Sequence, residues 1–320
     1  MEVSSVLQVR DRRFVWGDRT YIMGVLNVTP DSFSDGGDFD NLEAAMSQAK
    51  QLETAGADIL DIGGQSTRPG AKEVAVREEI DRVVPVIEAV RSRSSIPISI
   101  DTYRADVAQA ALDAGADIVN DVTGGIADSE MFPLVGERQV PIVLMHMRGT
   151  PKTMQTLTQY EDLVGEICRV LNRHVTAATA CGISPDRILL DPGIGFAKTH
   201  EQNLELLRRL PEFRELGYPL LVGVSRKSFI GKILDRQNPK DRVWGTAAAC
   251  TAAIANLADI LRVHDVAEMR DVARVADAMF REPISRKPIS QEQKDESRDV
   301  TENASTPREE RVLNLNATQV

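Results

Sequence analysis

Between Asn27 and Gly37 the chain crowds Asn27, Thr29, Asp31, Ser32, Ser34 and Asp35 directly behind an apolar run, Tyr21 to Leu26. Pro30 disfavours a helix through that point, and Gly36-Gly37 lets the backbone turn before helical spacing begins near Leu42. A strand-to-helix connection can be far shorter and plainer. Amides, hydroxyls and carboxylates gathered at one strand's end suit a ligand or an ion; a solvated surface loop is the alternative reading.

Two further carboxylates close apolar runs, Asp101 after "IPISI" and Asp191 after "ILL". A carboxylate set partly inside a protein is costly unless hydrogen-bond donors meet it. A heterocycle with an amino group beside a ring N–H supplies two such donors in parallel. Asn120 both donates and accepts, as the edge of such a ring requires. Taken singly, Asp101 could cap the next helix and Asp191 could tie down the Gly193-Ile194-Gly195 turn. The cations form a second group. Ser225-Arg226-Lys227 follows one run, Arg262 and His264 share a face at the end of another, and Arg68 follows Ser66-Thr67. Gathered at one place, they suit phosphate or pyrophosphate; singly, each is ordinarily a solvated charge. No G-x-x-x-x-G-K-[ST] occurs, Gly193-Ile194-Gly195 lacks the third glycine of a dinucleotide loop, and the histidines show no zinc spacing. A metal at Asn27 would be magnesium, held mainly through phosphate oxygens and water.

These residues need elements to position them. Apolar, β-branched runs recur at 21–26, 58–62, 97–101, 117–121, 141–146, 188–192, 220–225 and 259–264, separated by amphipathic stretches. Val266, Met269, Val272, Ala273, Ala276 and Met279 lie on one helical stripe. Thr199 with Gln202, and Asp265 with Glu268, have the spacing of capping boxes. "AGADILDI" (55–62) and "AGADIVND" (114–121) repeat one helix end and strand start. Such an alternation over roughly 250 residues matches a (β/α)8 barrel in count and size. A doubly wound sheet is the rival, but there only the strands beside the switch point need functional ends. Here nearly every run ends in a residue able to bind something: Asn27, Asp61 with Gln65, Asp101, Asn120 and Asp121, His146, Asp191, Ser225 with Lys227, and Arg262 with His264. The expected architecture is therefore an α/β chain with a (β/α)8 TIM barrel over 21–281. Residues 1–20 form an N-terminal extension, a hairpin or a cap on the barrel's bottom, with its turn at Gly17-Asp18. A disordered polar C-terminal tail covers 282–320.

Composition narrows the partners. A net charge of −10 and a pI near 5.1 argue against nucleic acid or an anionic membrane. No signal peptide is visible and no apolar stretch approaches spanning length. Cys168, Cys181 and Cys250 are scattered, without a C-x-x-C, which fits a reducing compartment and a cytoplasmic location.

At these residues the chain resembles the dihydropteroate synthase family of the folate pathway. The resemblance runs from about Tyr21 to Phe280 on "GVLNVTPDSFSDGG", "DIGGQSTRPGA", "ISIDT", "VNDV", "LMHM" with a following "GTP", "LDPGIGF", "VGVSRKSFIG" and "LRVHDV", in order and at ordinary spacing. It implies a barrel that joins 6-hydroxymethyl-7,8-dihydropterin diphosphate to p-aminobenzoate, giving 7,8-dihydropteroate and pyrophosphate. Carried onto this sequence, it implies a pterin slot of Asp101, Asn120, Asp191 and Lys227, with Met145 nearby and Arg262 over the ring. Pyrophosphate would fall to Asn27, Thr67, Arg68, Arg262 and His264, with magnesium near Asn27. p-Aminobenzoate would lie near Phe33, Thr67, Pro69, Phe196, Ser225 and Lys227. The first two loops, with Phe33, Ser34, Asp35, Ser66 and Pro69, would close over the site. Lys227, Arg262, His264 and Asp101 would carry the catalysis, and the family commonly forms homodimers. Gln65 stands where many relatives carry Glu, which removes a charge from loop two.

An arylamine is a weak nucleophile, so the chemistry favours an SN1-like path in which departing pyrophosphate is stabilised first. Lys227→Ala and Arg262→Ala are each expected to abolish most turnover and leave the fold intact. Two alternatives stay open: a pterin-dependent methyltransferase barrel acting with a corrinoid protein, and a non-catalytic pterin-binding paralogue.

Overall fold

Period-two alternation in the apolar runs separates side chains that fill a barrel from side chains that meet its helices. The computed structural model describes residues 4–29, 38–67 and 73–281, with the backbone alone for 38–41. The expectations on Phe33, Ser34, Asp35, Arg68, Pro69 and the tail at 282–320 lie outside these residues. The chain opens with β1 (Val6–Val9) and β2 (Arg12–Val15), an antiparallel pair. The barrel strands follow: β3 (Tyr21–Asn27), β4 (Ile59–Gly63), β5 (Ile98–Asp101), β6 (Ile118–Asp121), β7 (Ile142–Met145), β8 (Ile188–Asp191), β9 (Leu221–Val222) and β10 (Ile260–Val263). Between and after them run α1 (Asp38–Ala55), α2 (Val76–Arg91), α3 (Ala105–Asp113), α4 (Met131–Arg138), α5 (Leu163–Ala180), α6 (His200–Arg208), α7 (Leu210–Arg214), α8 (Ser228–Leu234), α9 (Val243–Ala255) and α10 (Val266–Phe280).

The eight barrel strands are all parallel, in the order β8-β7-β6-β5-β4-β3-β10-β9. A parallel bridge between Leu190 and Leu220 joins the two ends, with Leu190 N donating to Pro219 O at 2.9 Å. The sheet closes on itself, so the doubly wound alternative is excluded. β9 is shorter than the expected 220–225 run, because the chain leaves the ladder at Gly223.

Outward side chains such as Ile22, Leu60, Ile98, Ile100, Leu144, Leu190 and Val263 bury against Ala45, Val83, Ile87, Val107, Leu171 and Ala273 of the helices. Inward, a second cluster joins Tyr21, Met23, Ile59, Ile118, Val143, Leu189, Leu221 and Ile260 to Leu7, Phe14 and Trp16 of the hairpin. The hairpin therefore plugs the N-terminal end of the barrel. Its turn is not at Gly17-Asp18. The register pairs Val9 with Arg12, so Arg10 and Asp11 form a two-residue turn, with Arg10 at φ 53°. That register faces Leu7 and Phe14 together onto the barrel, and Gly17, at φ 90°, turns the chain into β3.

The repeated "AGAD" phrase has a structural meaning. Asp58 accepts from Ile22 N at 2.9 Å and Asp117 from Ile98 N at 2.9 Å, so each ties its strand's start to a neighbour. Asp259 does the same for Leu220 N at 2.8 Å. The capping box at α6 forms: Gln202 N donates to Thr199 Oγ1 at 3.2 Å and Thr199 N to Gln202 Oε1 at 2.8 Å. The one expected at α10 does not, because the Asp265 carboxylate is taken by Arg226, whose Nε lies 3.0 Å away. Met1–Arg281 forms one compact unit, and no helix among the described residues is long and apolar enough to cross a membrane.

Candidate active site

Ladder register brings the expected residues to one level at the C-terminal mouth. Asp101 pairs with Asn120, Met145 with Asp191, and Asn27 with Gly63. Arg262 faces Met23 in the ladder and extends its guanidinium across the barrel. Its Nη2 donates to Asp101 Oδ2 at 2.6 Å and its Nε to Asp61 Oδ2 at 2.6 Å. Asn120 Nδ2 lies 3.3 Å and 3.4 Å from the two oxygens of the same Asp61.

This is a buried network, and its electrostatics follow from burial. Desolvation pulls the Arg262 guanidinium down, but Asp61 and Asp101 outweigh it and its net shift is upward. Burial raises the Asp101 carboxyl against the downward pull of Arg262, and Asp61 adds to the rise. Asp101 Oδ1 is buried without a hydrogen-bond partner among the described residues. An unmet carboxylate oxygen beside a paired one is an acceptor prepared for a donor from outside.

On the opposite wall, Asp191 Oδ1 accepts from Gly193 N at 2.7 Å, so the turn-holding reading of Asp191 holds together with its place at the mouth. Burial raises its pKa, and the Gly193 N–H, Lys227, Lys198 and Arg262 oppose that. Lys227 precedes α8 and sets its Nζ 4.3 Å from the centre of the Phe196 ring. Phe196 and Tyr103 pack against a small apolar cluster of Val122, Met145, Met147, Met154 and Ala197. His264 is held by Ser225, whose Oγ takes His264 N at 3.2 Å and lies 3.0 Å from Nδ1. Thr67 and Asn27 are half-buried at the mouth.

Two strand-end residues expected there face the other way. Asp121 follows Asn120 and His146 follows Met145, so strand alternation turns both outward. Asp121 accepts from Thr123 N and Oγ1, each at 2.7 Å, and from Gly125 N at 3.0 Å. Burial pushes its carboxyl up to about 6. His146 is fully buried, and burial pushes it down to about 2. Asp101 likewise caps no helix: Arg104, not Asp101, precedes α3, and the Ala105 N–H goes to Asp128.

Sequence reasoning named Asp61 only as a strand-end candidate and did not pair it with Arg262, although it shares its parity with Asp101 on the neighbouring strand. Lys198 carried no signal at all, since nothing in "GFAKT" announces a buried ammonium. Gln65 proves structural. Its Nε2 donates to Tyr103 Oη at 2.8 Å and its Oε1 accepts from Val74 N at 3.4 Å, tying the start of loop two to its far end and to the connection after β5. Charge beside it comes from Arg104, paired with Glu79 at 2.9 Å and Glu73 at 2.8 Å.

The family described as pterin binding enzyme matches residues 23–264 of the chain. A dihydropteroate synthase from Synechocystis is 57% identical over 275 residues, which is 86% of this chain and 95% of the relative. Among solved structures, the dihydropteroate synthase of Xanthomonas albilineans with 4-aminobenzoic acid is 44% identical with a TM-score of 0.81, covering 87% of this chain and 98% of that one. The same organism's enzyme in complex with 7,8-dihydropteroate is 41% identical with a TM-score of 0.77, over 86% and 98% of the two chains.

Proposed function

Because the chain belongs to the pterin binding enzyme family, and within it to the dihydropteroate synthases, we propose that its barrel mouth joins 6-hydroxymethyl-7,8-dihydropterin diphosphate to p-aminobenzoate. The products are 7,8-dihydropteroate and pyrophosphate. One observation carries the reading most directly: Asp101 Oδ1 stands buried beside Asn120 with no partner among the described residues, and Asp191 lies at the same mouth. Those are the groups that a pterin's amino group, ring N–H and carbonyl would use.

The C–O bond to the diphosphate breaks first, its electron pair leaving with pyrophosphate, and the methylene carbon is then taken by the arylamine nitrogen, which loses a proton. Arg262 on β10 and His264 just beyond its end suit the charge that grows on the leaving group. Lys227, over Phe196, suits the space between pterin and p-aminobenzoate. Among the described residues no three His, Cys, Asp or Glu side chains cluster as a metal cage. An amide oxygen at Asn27 fits magnesium held chiefly by diphosphate oxygens and water. Bound there, the ion would neutralise charge on the departing diphosphate.

A homodimer fits the exposed apolar residues of α9 and α10, Trp244, Val275 and Met279. A cytoplasmic location fits three free cysteines. Pyrophosphate release, assayed with dihydropterin diphosphate and magnesium, is expected to require p-aminobenzoate and to yield dihydropteroate. Tight pterin binding without release would overturn the reading in favour of a corrinoid-dependent methyltransferase or an inactive paralogue.

A further inference from the structure

The turn after β8 has an unusual clamp. Gly193 and Gly195 lie at φ 73° and 87°, and Ala197, fully buried, also adopts a left-handed φ of 52°. The turn is wedged between two walls. A Cβ on Gly193 would lie 2.0 Å from His146 O, and one on Gly195 would lie 2.9 Å from Lys227 Cδ. Lys198 pins it from behind: its buried Nζ donates to Phe196 O at 2.9 Å and lies 3.0 Å from His146 Nδ1. Tyr160 Oη and Asn203 Oδ1 hold the Ala197 carbonyl, at 3.0 Å, and the Gly195 N–H, at 2.6 Å.

For holding a turn, neutral groups such as those of Tyr160 and Asn203 suffice. Burying an ammonium costs far more, and its presence asks for a charge that benefits. That charge is Asp191, whose Oδ1 takes the Gly193 N–H at 2.7 Å while Lys198 Nζ stands behind the same glycine, 3.3 Å from where a Cβ on it would lie; Lys227 and Arg262 act on Asp191 from the mouth. We propose that Lys198, through the turn it pins and the charge it carries, is a positioning residue of the reaction: it seats Phe196 beneath Lys227 and keeps Asp191 ionised for the pterin. This inference rests on the functional reading above.

The groups facing the pair come from each packed element: His146 on β7, Arg148 beyond it, His174 on α5, Lys227 before α8 and Arg262 on β10. His146 stays a neutral acceptor, so Lys198 keeps the proton of that pair. Burial lowers the ammonium to about 7, against the pull of Asp191. Below that pH the cation holds the Asp191 pKa down; above it the proton is shed and the support fades.

The test is the pH profile of kcat/KM for dihydropterin diphosphate in wild type, Lys198→Met, Lys198→Gln and Asn203→Ala. Both lysine variants should move the acid limb up by about one pH unit, an activity about tenfold lower at the acid end. They should approach wild type once the native lysine has lost its proton. Asn203→Ala, which loosens the same turn without a charge, should lower the profile and leave its limb in place. If Lys198→Met does not fold, Lys198→Gln, which keeps a donor for Phe196 O, decides alone. A Lys198→Gln acid limb superimposed on that of wild type overturns the inference. Wild-type protein with no p-aminobenzoate-dependent turnover at any pH overturns the functional reading, and this inference with it.

Discussion

Arg262 and Lys227 reach the same mouth but differ in what their removal leaves behind. Arg262 is the counter-ion of both Asp61 and Asp101, so Arg262→Ala strands two buried carboxylates. Breaking such a pair costs about 3–5 kcal/mol, which corrects the expectation that this variant folds unharmed. Lys227 is half-buried and sits over an aromatic ring, so Lys227→Ala should stay within about 1 kcal/mol of wild type in a denaturant melt while losing about a hundredfold or more in turnover. Normal turnover in a folded Lys227→Ala would remove it from the machinery. Much of the candidate site was legible at this scale, because Asp101 and Asp191 end their strands and Asn120 and Arg262 stand one residue before the ends of theirs. The partnership of Arg262 with Asp61 was not, since only barrel closure brings together residues 201 apart in sequence. A second residue-level effect concerns His174, which burial lowers from 6.5 to about 4. The unfolded chain takes up that proton as pH falls through 6.5 and the folded chain does not, so stability is lost on acidification between 6.5 and about 4. A His174→Gln variant should lose up to about 1.4 kcal/mol less per pH unit across that window, read by chemical denaturation.

Among the elements, the strands were the easiest to read and the turns the hardest. Apolar, β-branched runs located every barrel strand, yet counting strand ends without parity placed Asp121 and His146 at a mouth they do not face. The hairpin was foreseen as a cap, but its turn was assigned to Gly17 on composition. The register instead uses Arg10-Asp11, because that alone aligns Leu7 with Phe14 on the barrel side. Phe14 packs 4.9 Å from Tyr21 and 6.0 Å from Trp16, ring centre to ring centre, at the end of the barrel away from the site. Phe14→Ala should therefore cost about 3–5 kcal/mol in a thermal or denaturant melt. At a temperature where the variant remains folded, kcat should stay within about twofold of wild type, since none of its contacts reaches the mouth. A large loss of kcat with unchanged stability would mean that the plug communicates with the site.

For the whole molecule, the unresolved physical demand is the surface of α9 and α10. α9 packs along α10, and together they present Trp244, 79% exposed, and Met279, 66% exposed, with Val275 and Ala248 between water and the barrel. A tryptophan left in water forgoes several kcal/mol that burial at roughly 25 cal/mol per Å² would return. Small residues along α9, Ala248, Ala252 and Ala255, would let a second helix approach closely. Two copies meeting on this face would bury the same patch on each, as a two-fold interface requires. Charge opposes a loose association, because each chain carries a net −10, so a stable contact has to come from the apolar centre. Trp244→Glu places a carboxylate at that centre. Sedimentation at micromolar concentration should show wild type as a dimer and the variant as a monomer. Turnover per chain should persist, since the candidate site residues described above all come from one barrel. A wild-type monomer at those concentrations would sink the dimer, and a Trp244→Glu dimer would move the interface to another face.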